Sequence, residues 1–320
     1  MKPIDPYNKI LRHGEALAKI QRGERVWPVN VELDISNACN LRCSWCAFAY
    51  MHNGIFMEPA IFSRIMEELD GIKSITFTGG GEPTIHPDFA QMVQEASRYK
   101  LGLYTNGVSI KNLLPVAHLF EWIYVSLDEV DKESYRRSKG ASAFDTVLRN
   151  TRQLAQEVLV GLGFLVHEKN YEYIDKMVEL GKKVDADYVH VHPIVADVSY
   201  HWIPDALEIL EYDWGYPLFY SEKRFWDLYY YWVGSWSRGY SICRGSELVP
   251  CIGADGTVWV CPNMRGKRPL GNLQEETFAE IWARREVQKV GPDCRIACRN
   301  HALNTVLEYA CTPQLHEDFV

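Results

Sequence analysis

The chain has 320 residues, with 34 Lys and Arg against 42 Asp and Glu, a formal net charge of −8 and 47% apolar residues. That length can bury a large core and carry one big domain with a small one beside it. The acid excess argues against a dedicated polynucleotide binder, which shows a basic surface, though not against a single nucleotide or a charged sugar. The first twenty residues mix charges in a helical pattern without an apolar signal core, and no apolar run is long enough to cross a bilayer. Nine cysteines without a secretory signal point to a reducing compartment, cytoplasmic by default, and to metal ligation in place of disulfides.

Residues 1–28 read as a helical lead-in with Ile10, Leu11, Leu17 and Ile20 as its apolar positions. A strand–helix alternation follows over 29–195, with strands expected at 30–35, 72–78, 101–105, 122–126, 160–166 and 187–192. Helices are expected at 59–70, where Pro59 suits the first turn and Ile61, Ile65 and Leu69 share a face, and at 144–158 and 170–184. Strand–helix units in series imply an α/β fold, a parallel sheet with helices outside and chemistry at the carboxyl ends of the strands. Residues 196–240 are crowded with aromatics, among them Trp202, Trp226, Tyr229, Tyr230, Tyr231 and Trp232. They read as a packing bridge, or as rings closing the mouth of the fold. His190, His192 and His201 stand at or after the last strand.

Cys39, Cys43 and Cys46 lie on one short loop with gaps of three and two residues. Three soft ligands so close together hold a metal or an iron–sulfur cluster. A zinc site would want a fourth ligand, for which His52 is the local candidate. About 33 residues beyond Cys46, Gly79-Gly80-Gly81-Glu82-Pro83 follows an alternating strand. Consecutive glycines let a backbone approach a ligand or another chain segment closely.

The cysteine spacing, with Trp45 before the last cysteine, and the glycine run in this order resemble the signature of radical S-adenosylmethionine (SAM) enzymes. The resemblance implies a partial (βα)6 TIM-like barrel. It also implies a [4Fe–4S] cluster on Cys39, Cys43 and Cys46 whose open iron binds SAM and cleaves it to methionine and a 5′-deoxyadenosyl radical. By the same resemblance Trp45 packs near the adenine, Gly79, Gly80, Gly81 and Glu82 receive the SAM amino group, and Ser126 reaches the ribose. Arg136 or Arg137, with Arg137 favoured, meets the carboxylate. An electron donor such as flavodoxin or ferredoxin is implied as partner.

The last eighty residues, 241–320, hold Cys243, Cys251, Cys261, Cys294, Cys298 and Cys311. Leu248–Cys261 reads as a hairpin around Asp255-Gly256. Cys294 and Cys298, one helical turn apart, can point at one centre. Four thiolates, Cys243, Cys261, Cys294 and Cys298, can ligate a second [4Fe–4S] cluster, with Cys311 the substitute for the last and zinc the alternative metal. Together with Gly256, Leu270-Gly271-Asn272-Leu273 and Ile281-Trp282, this layout resembles the twitch domain, a short relative of the SPASM domain, giving a cysteine-rich hairpin–helix auxiliary unit after the barrel. Cys251, inside the hairpin, reads as a small buried residue or, by resemblance to radical SAM epimerases, as a hydrogen-atom donor.

The resemblance implies hydrogen abstraction from a small polar substrate, carbohydrate-like or nucleoside-like, ending in oxidation or epimerisation. Maturation of a ribosomal peptide and nucleobase or cofactor chemistry are the alternatives. The short lead-in leaves no room for a fused peptide-recognition domain. Arg265, Lys267, Arg268, Arg284 and Arg285 could hold a phosphate or form a solvated surface. A zinc-stabilised binding protein is the reading outside enzymes.

Overall fold

The computed structural model describes residues 6–196, 198–296 and 298–312. Twelve strands follow in chain order: β1 Asn30–Asp34, β2 Ser74–Thr78, β3 Lys100–Thr105, β4 Phe120–Ser126, β5 Val160–Val166 and β6 Tyr188–Pro193, then β7 Leu218–Phe219, β8 Ile242–Cys243, β9 Cys251–Ile252, β10 Thr257–Trp259, β11 Pro269–Asn272 and β12 Gln288–Lys289. The helices are α1 Gly14–Gln21, α2 Pro59–Glu68, α3 Phe89–Ala96, α4 Lys132–Lys139, α5 Phe144–Leu154, α6 Ile174–Lys183, α7 Ile203–Leu210, α8 Glu222–Trp232, α9 Phe278–Arg284 and α10 His301–Cys311. Between β3 and β4 a 3-10 helix, Leu114–Leu119, replaces an α-helix.

Strands β1 to β6 pair in sequence order and parallel, and β7 extends the sheet beyond β6. Alternation divides β1 between two environments. Val31, Leu33 and Ile35 enter the apolar core against the outer helices, whereas Glu32 and Asp34 are buried on the other face. Phe62, Phe77, Phe89 and Phe120 stack in the outer core, each adding roughly 1.5–3 kcal/mol by burial. A Cβ at Gly163 would collide with the Tyr124 ring, so glycine there lets that ring lie across β5.

The C-terminal hairpin does not stand apart. β9 pairs parallel with β1, Glu32 opposite Cys251, and β10 and β11 continue the same ten-stranded sheet. The expected placement of Cys294 and Cys298 on a helix is corrected: both sit in a turn segment before α10. The aromatic bridge splits by exposure. Tyr200, Trp202, Phe225 and Tyr240 are buried, while Tyr212, Tyr230, Tyr231 and Trp232 are exposed. Helix α10 packs on α1 and on the 3-10 helix Pro6–Arg12 around Ile10, Ile20, Leu248 and Leu307. Among the described residues no helix is long and apolar enough to cross a membrane.

Candidate active site between two cysteine sets

The loop bearing Cys39, Cys43 and Cys46 leaves the carboxyl end of β1 and is held by hydrogen bonds from three sides. Gly81 N donates to Ser36 O at 2.9 Å and Glu82 N to Ala38 O at 2.8 Å. Arg42 N and Ser44 N donate to Lys139 O and Ser138 O, at 3.1 and 2.8 Å, at the end of α4. Asn106 Nδ2, after β3, donates to Asn40 Oδ1 at 2.7 Å. The glycine run permits this approach, since a Cβ at Gly81 would strike the Ala38 carbonyl and one at Gly80 the Asn37 side chain.

Glu82 is placed differently from the expectation that its side chain meets the SAM amino group. Its carboxylate is buried and accepts from Thr84 N, Thr84 Oγ1, Thr105 Oγ1 and Asn106 N, at 3.2, 2.7, 2.6 and 2.7 Å. These bonds tie β2 to β3 beneath the loop. Burial raises its pKa against the opposing pull of those donors.

Arg137 is also placed away from the site. Both Arg136 and Arg137 are exposed, and Arg137 Nη1 meets Glu133 Oε1 at 3.1 Å on the solvent face of α4. The buried cation of that helix is Lys139, which sequence reasoning missed. Its Nζ donates to Asp128 Oδ2 at 2.5 Å and to Ser126 O at 3.1 Å, so the Ser126 carbonyl is engaged at the end of β4. The signal was available: Lys139 lies four residues after Tyr135, on the buried face of α4. Its charge pulls the Cys43 thiol down against the larger upward push of burial.

The thiols form two sets. Burial pushes the Cys39 thiol up to about 11, and Cys43 and Cys46 act on it as near neighbours. In the second set burial pushes Cys261 up to about 12, with Cys243 and Cys298 acting on it, and Cys298 up to about 11, with Cys243 and Cys294 acting on it. Cys311 is apart: its charged neighbours are Arg244, Glu308 and Glu247, and it packs near Leu248 and Leu307. Protonated thiols in close groups suit a centre whose binding displaces protons. The donor set of three, then four, sulfurs fits a [4Fe–4S] cluster with one open iron and a fully ligated one. His52 Nε2 lies 3.9 Å from Cys46 Sγ. Among the described residues no group of three His, Cys, Asp or Glu side chains stands close enough to hold a metal ion. Asn304 Nδ2 donates to Cys243 Sγ at 3.2 Å.

Arg265, one turn beyond Cys261, joins the sets. It is buried, bonding Asp34 through Nε at 2.6 Å and Nη2 at 3.1 Å, and Glu32 through Nη2 at 2.8 Å. Its guanidinium also lies 4.7 Å from the Phe48 ring, and its carbonyl accepts from Tyr50 Oη at 2.8 Å. Phe48 and Tyr50 belong to the first cysteine loop. Cys251 lies in this network: Arg265 Nε is 3.1 Å from its sulfur, which is sealed from solvent. Of the other candidate phosphate-binding cations, Lys267 is exposed and three are engaged elsewhere. Arg284 pairs with Glu276 and Arg285 with Glu247, and Arg268 lies 3.5 Å from Asp293.

A cavity of about 240 Å³ opens between the sets. Trp45 and Ala47 of the first loop line it opposite Asn263, Arg295, Cys298 and Arg299, with Arg224 of α8 on a third side. Trp45 also faces the His167 ring at 6.0 Å. His190 and His192 are not in the wall. They lie with ring centroids 3.8 Å apart against Tyr124. Burial, then nearby Arg224, brings His190 down to about 3. His201 is on the surface, 3.5 Å from Glu168.

Residues 33–181 match the radical SAM superfamily, and residues 243–309 match the SPASM iron–sulfur cluster-binding domain. The chain carries a radical SAM domain followed by a SPASM domain. Its cofactors are accordingly SAM and [4Fe–4S] clusters in both regions. A probable GTP 3′,8-cyclase of Saccharolobus islandicus is 27% identical over 198 residues, covering 57% of this radical SAM chain and 64% of the relative. The match thus spans less than two thirds of that relative's length. A tungsten-containing aldehyde ferredoxin oxidoreductase cofactor-modifying protein of Pyrococcus furiosus is 26% identical over 284 residues, 78% of this chain and 79% of the relative. In fold, the chain is similar to Streptococcus suis SuiB bound to the precursor peptide SuiA, with TM-score 0.66 and 16% identity over 88% of this chain and 70% of that one. It is likewise similar to anSMEcpe with bound AdoMet, with TM-score 0.60 and 20% identity over 80% of each chain.

Proposed function

We propose that this enzyme abstracts a hydrogen atom from a small polar substrate, carbohydrate- or nucleoside-like, and that the product leaves oxidised. One observation carries the reading: residues beside both cysteine sets, Trp45 and Ala47 on one side and Cys298 on the other, line the same cavity of about 240 Å³. That volume is near the lower end of small-molecule pockets, which run to about 300–1,000 Å³.

In this reading Cys39, Cys43 and Cys46 hold the first cluster, and Cys243, Cys261, Cys294 and Cys298 the second. When bound, the first cluster supplies the electron that cleaves SAM, and the second can accept one from the substrate. The chain's own part is placement. The backbone of Gly79–Gly81 is left to the SAM amino group, because the Glu82 carboxylate is occupied by its four donors. Lys139 supplies buried positive charge beside the Cys43 loop, in the place expected of Arg137. Trp45 supplies an aromatic face to the cavity wall from the first cysteine loop. A flavodoxin or ferredoxin would deliver the electron.

Epimerisation is the second reading, with Cys251 returning a hydrogen atom. Its position on the buried polar side of the fold, beside Asp34 and Arg265, favours it. Its absence from the cavity wall ranks it second. The names of the relatives keep nucleotide and cofactor substrates within the same reading, and the peptide bound by SuiB keeps peptide maturation as the wider alternative.

The test is 5′-deoxyadenosine release from SAM under dithionite. Alanine at Cys39, Cys43 or Cys46 abolishes it, and retained release in any of them would overturn the first assignment. With substrate in hand, a product two mass units lighter supports oxidation. An unchanged mass, with turnover lost in Cys251→Ala, supports epimerisation.

A further inference from the structure

The cavity between the cysteine sets has an unbalanced charge. Its lining includes three guanidiniums, Arg224, Arg295 and Arg299, and no carboxylate. Arg299 reaches behind the wall to Glu32, and Arg265 holds both Glu32 and Asp34. These two carboxylates and two guanidiniums cancel. Arg224 and Arg295 remain. Neither forms an ion pair with a carboxylate among the described residues. Arg224 Nε is fully buried without a hydrogen-bond partner, and Arg295 offers only Nη2 to the Ala47 carbonyl at 3.5 Å.

A half-buried guanidinium without a carboxylate partner is only partly solvated, and its fork of donors is suited to planar or tetrahedral oxyanions. Among the neighbours of Arg224 the Cys298 sulfur acts on it most, and that sulfur belongs to the auxiliary set. Tyr104 and Tyr124 beside it are neutral phenols, raised by burial. The imidazoles of His190 and His192 on the same side are neutral as well, depressed by burial and by Arg224 itself. The auxiliary thiols have their own cation in Arg238, whose Nη2 donates to Cys294 O at 3.0 Å and whose charge acts on Cys298. Two unpaired guanidiniums in one small cavity therefore call for a ligand carrying close to two negative charges. A phosphate ester carries about −1.5 to −2 at neutral pH, with three acceptor oxygens.

Resting on the small-substrate reading above, we propose that the substrate carries a dianionic oxyanion group, a phosphate ester in the first instance, seated between Arg224 and Arg295. Arg299 completes the rim on the open side.

The experiment titrates anaerobically reconstituted holoenzyme, with SAM present, with inorganic phosphate and separately with malonate, by calorimetry. Phosphate should bind at one saturable site per chain. Arg224→Gln should weaken it about tenfold or more, the scale of a lost charge-assisted hydrogen bond. Arg224→Lys, keeping charge without the fork, should fall between, and Arg149→Gln on the surface of α5 should match the parent. Iron content of each variant checks folding. Saturable binding of malonate but not phosphate, lost in Arg224→Gln, supports the dianion site and makes the substrate a dicarboxylate. The proposal is overturned if neither anion saturates, or if Arg224→Gln binds like the parent. It is equally overturned if that variant moves the midpoint potential of the auxiliary cluster while leaving anion affinity unchanged, which would make Arg224 the cluster's counter-charge. Release of 5′-deoxyadenosine by the parent protein, measured on the same preparation, tests the SAM chemistry separately from anion binding.

Discussion

Arg265 Nε lies 2.6 Å from Asp34 Oδ2, joining the segment after Cys261 to the strand that carries the first cysteine loop. The pair is buried, and Glu32 shares it at 2.8 Å. Removing the cation would leave the buried Asp34 carboxylate without a counter-charge and Glu32 with Arg299 alone. Arg265→Met should therefore cost about 3–5 kcal/mol of unfolding free energy, the usual loss on breaking a buried pair. Urea denaturation under anaerobic conditions measures it. A loss below about 1 kcal/mol would show that the seam between the two cysteine segments does not depend on this pair.

Lys139 and Arg137 make an opposed pair on α4. Lys139→Met leaves Asp128 buried beside the Cys43 loop, and we expect about 3–5 kcal/mol of destabilisation together with lower iron occupancy at the first site. Arg137→Gln removes an exposed ion pair and should change stability by no more than about 0.5 kcal/mol. If Arg137→Gln raised the SAM concentration needed for half-maximal cleavage while Lys139→Met did not, the placement of the two cations would be wrong in function.

Much of this site can be read from the sequence because it is short-range. The cysteine spacing and the glycine run each lie within a few residues, and Asp255-Gly256 announces its own turn. All six barrel strands fall close to their expected bounds for the same reason: alternation is local. The rest depends on contacts across the fold. Nothing near Glu32 or Asp34 in sequence names Arg265, more than 230 positions away. Arg224 sits in a stretch dominated by aromatic rings, so its place in the cavity wall is hidden by its neighbours. Arg137 misleads because charge type shows in a sequence, whereas the solvent face of a short polar helix is harder to discern. That Cys298 neighbours Cys243 and Cys294 whereas Cys311 does not is likewise a matter of tertiary proximity.

Cys298→Ala should reduce iron by about four per chain, with the first site still filled, because one thiolate of a fully ligated cluster is lost. Cys311→Ala should keep the parental iron content. Iron analysis beside total protein decides it, and equal losses in both would place Cys311 among the ligands.

The half-buried imidazole of His190, packed against His192 and Tyr124, gives stability a defined pH dependence. Its folded pKa, lowered to about 3 chiefly by burial and then by Arg224, lies below the unfolded value of about 6.5. The unfolded chain therefore binds the proton first. The stabilising contribution is complete above pH ~6.5 and is lost as pH falls toward ~3, by up to about 1.4 kcal/mol per pH unit. His192 is shifted in the same direction by burial and by His190. Unfolding free energies between pH ~7 and ~5 should fall, and His190→Gln should flatten the slope. An unaltered slope in that variant would mean that the imidazole is not buried in the neutral form.

Iron, sulfide and zinc per chain, measured on protein reconstituted without oxygen, test the central claim that two clusters flank one cavity. We predict about eight irons, falling to about four when Cys39, Cys43 and Cys46 are all replaced by alanine. About four irons with one zinc in the parent would contradict it, since zinc has no redox role and the second site could then accept no electron from the substrate.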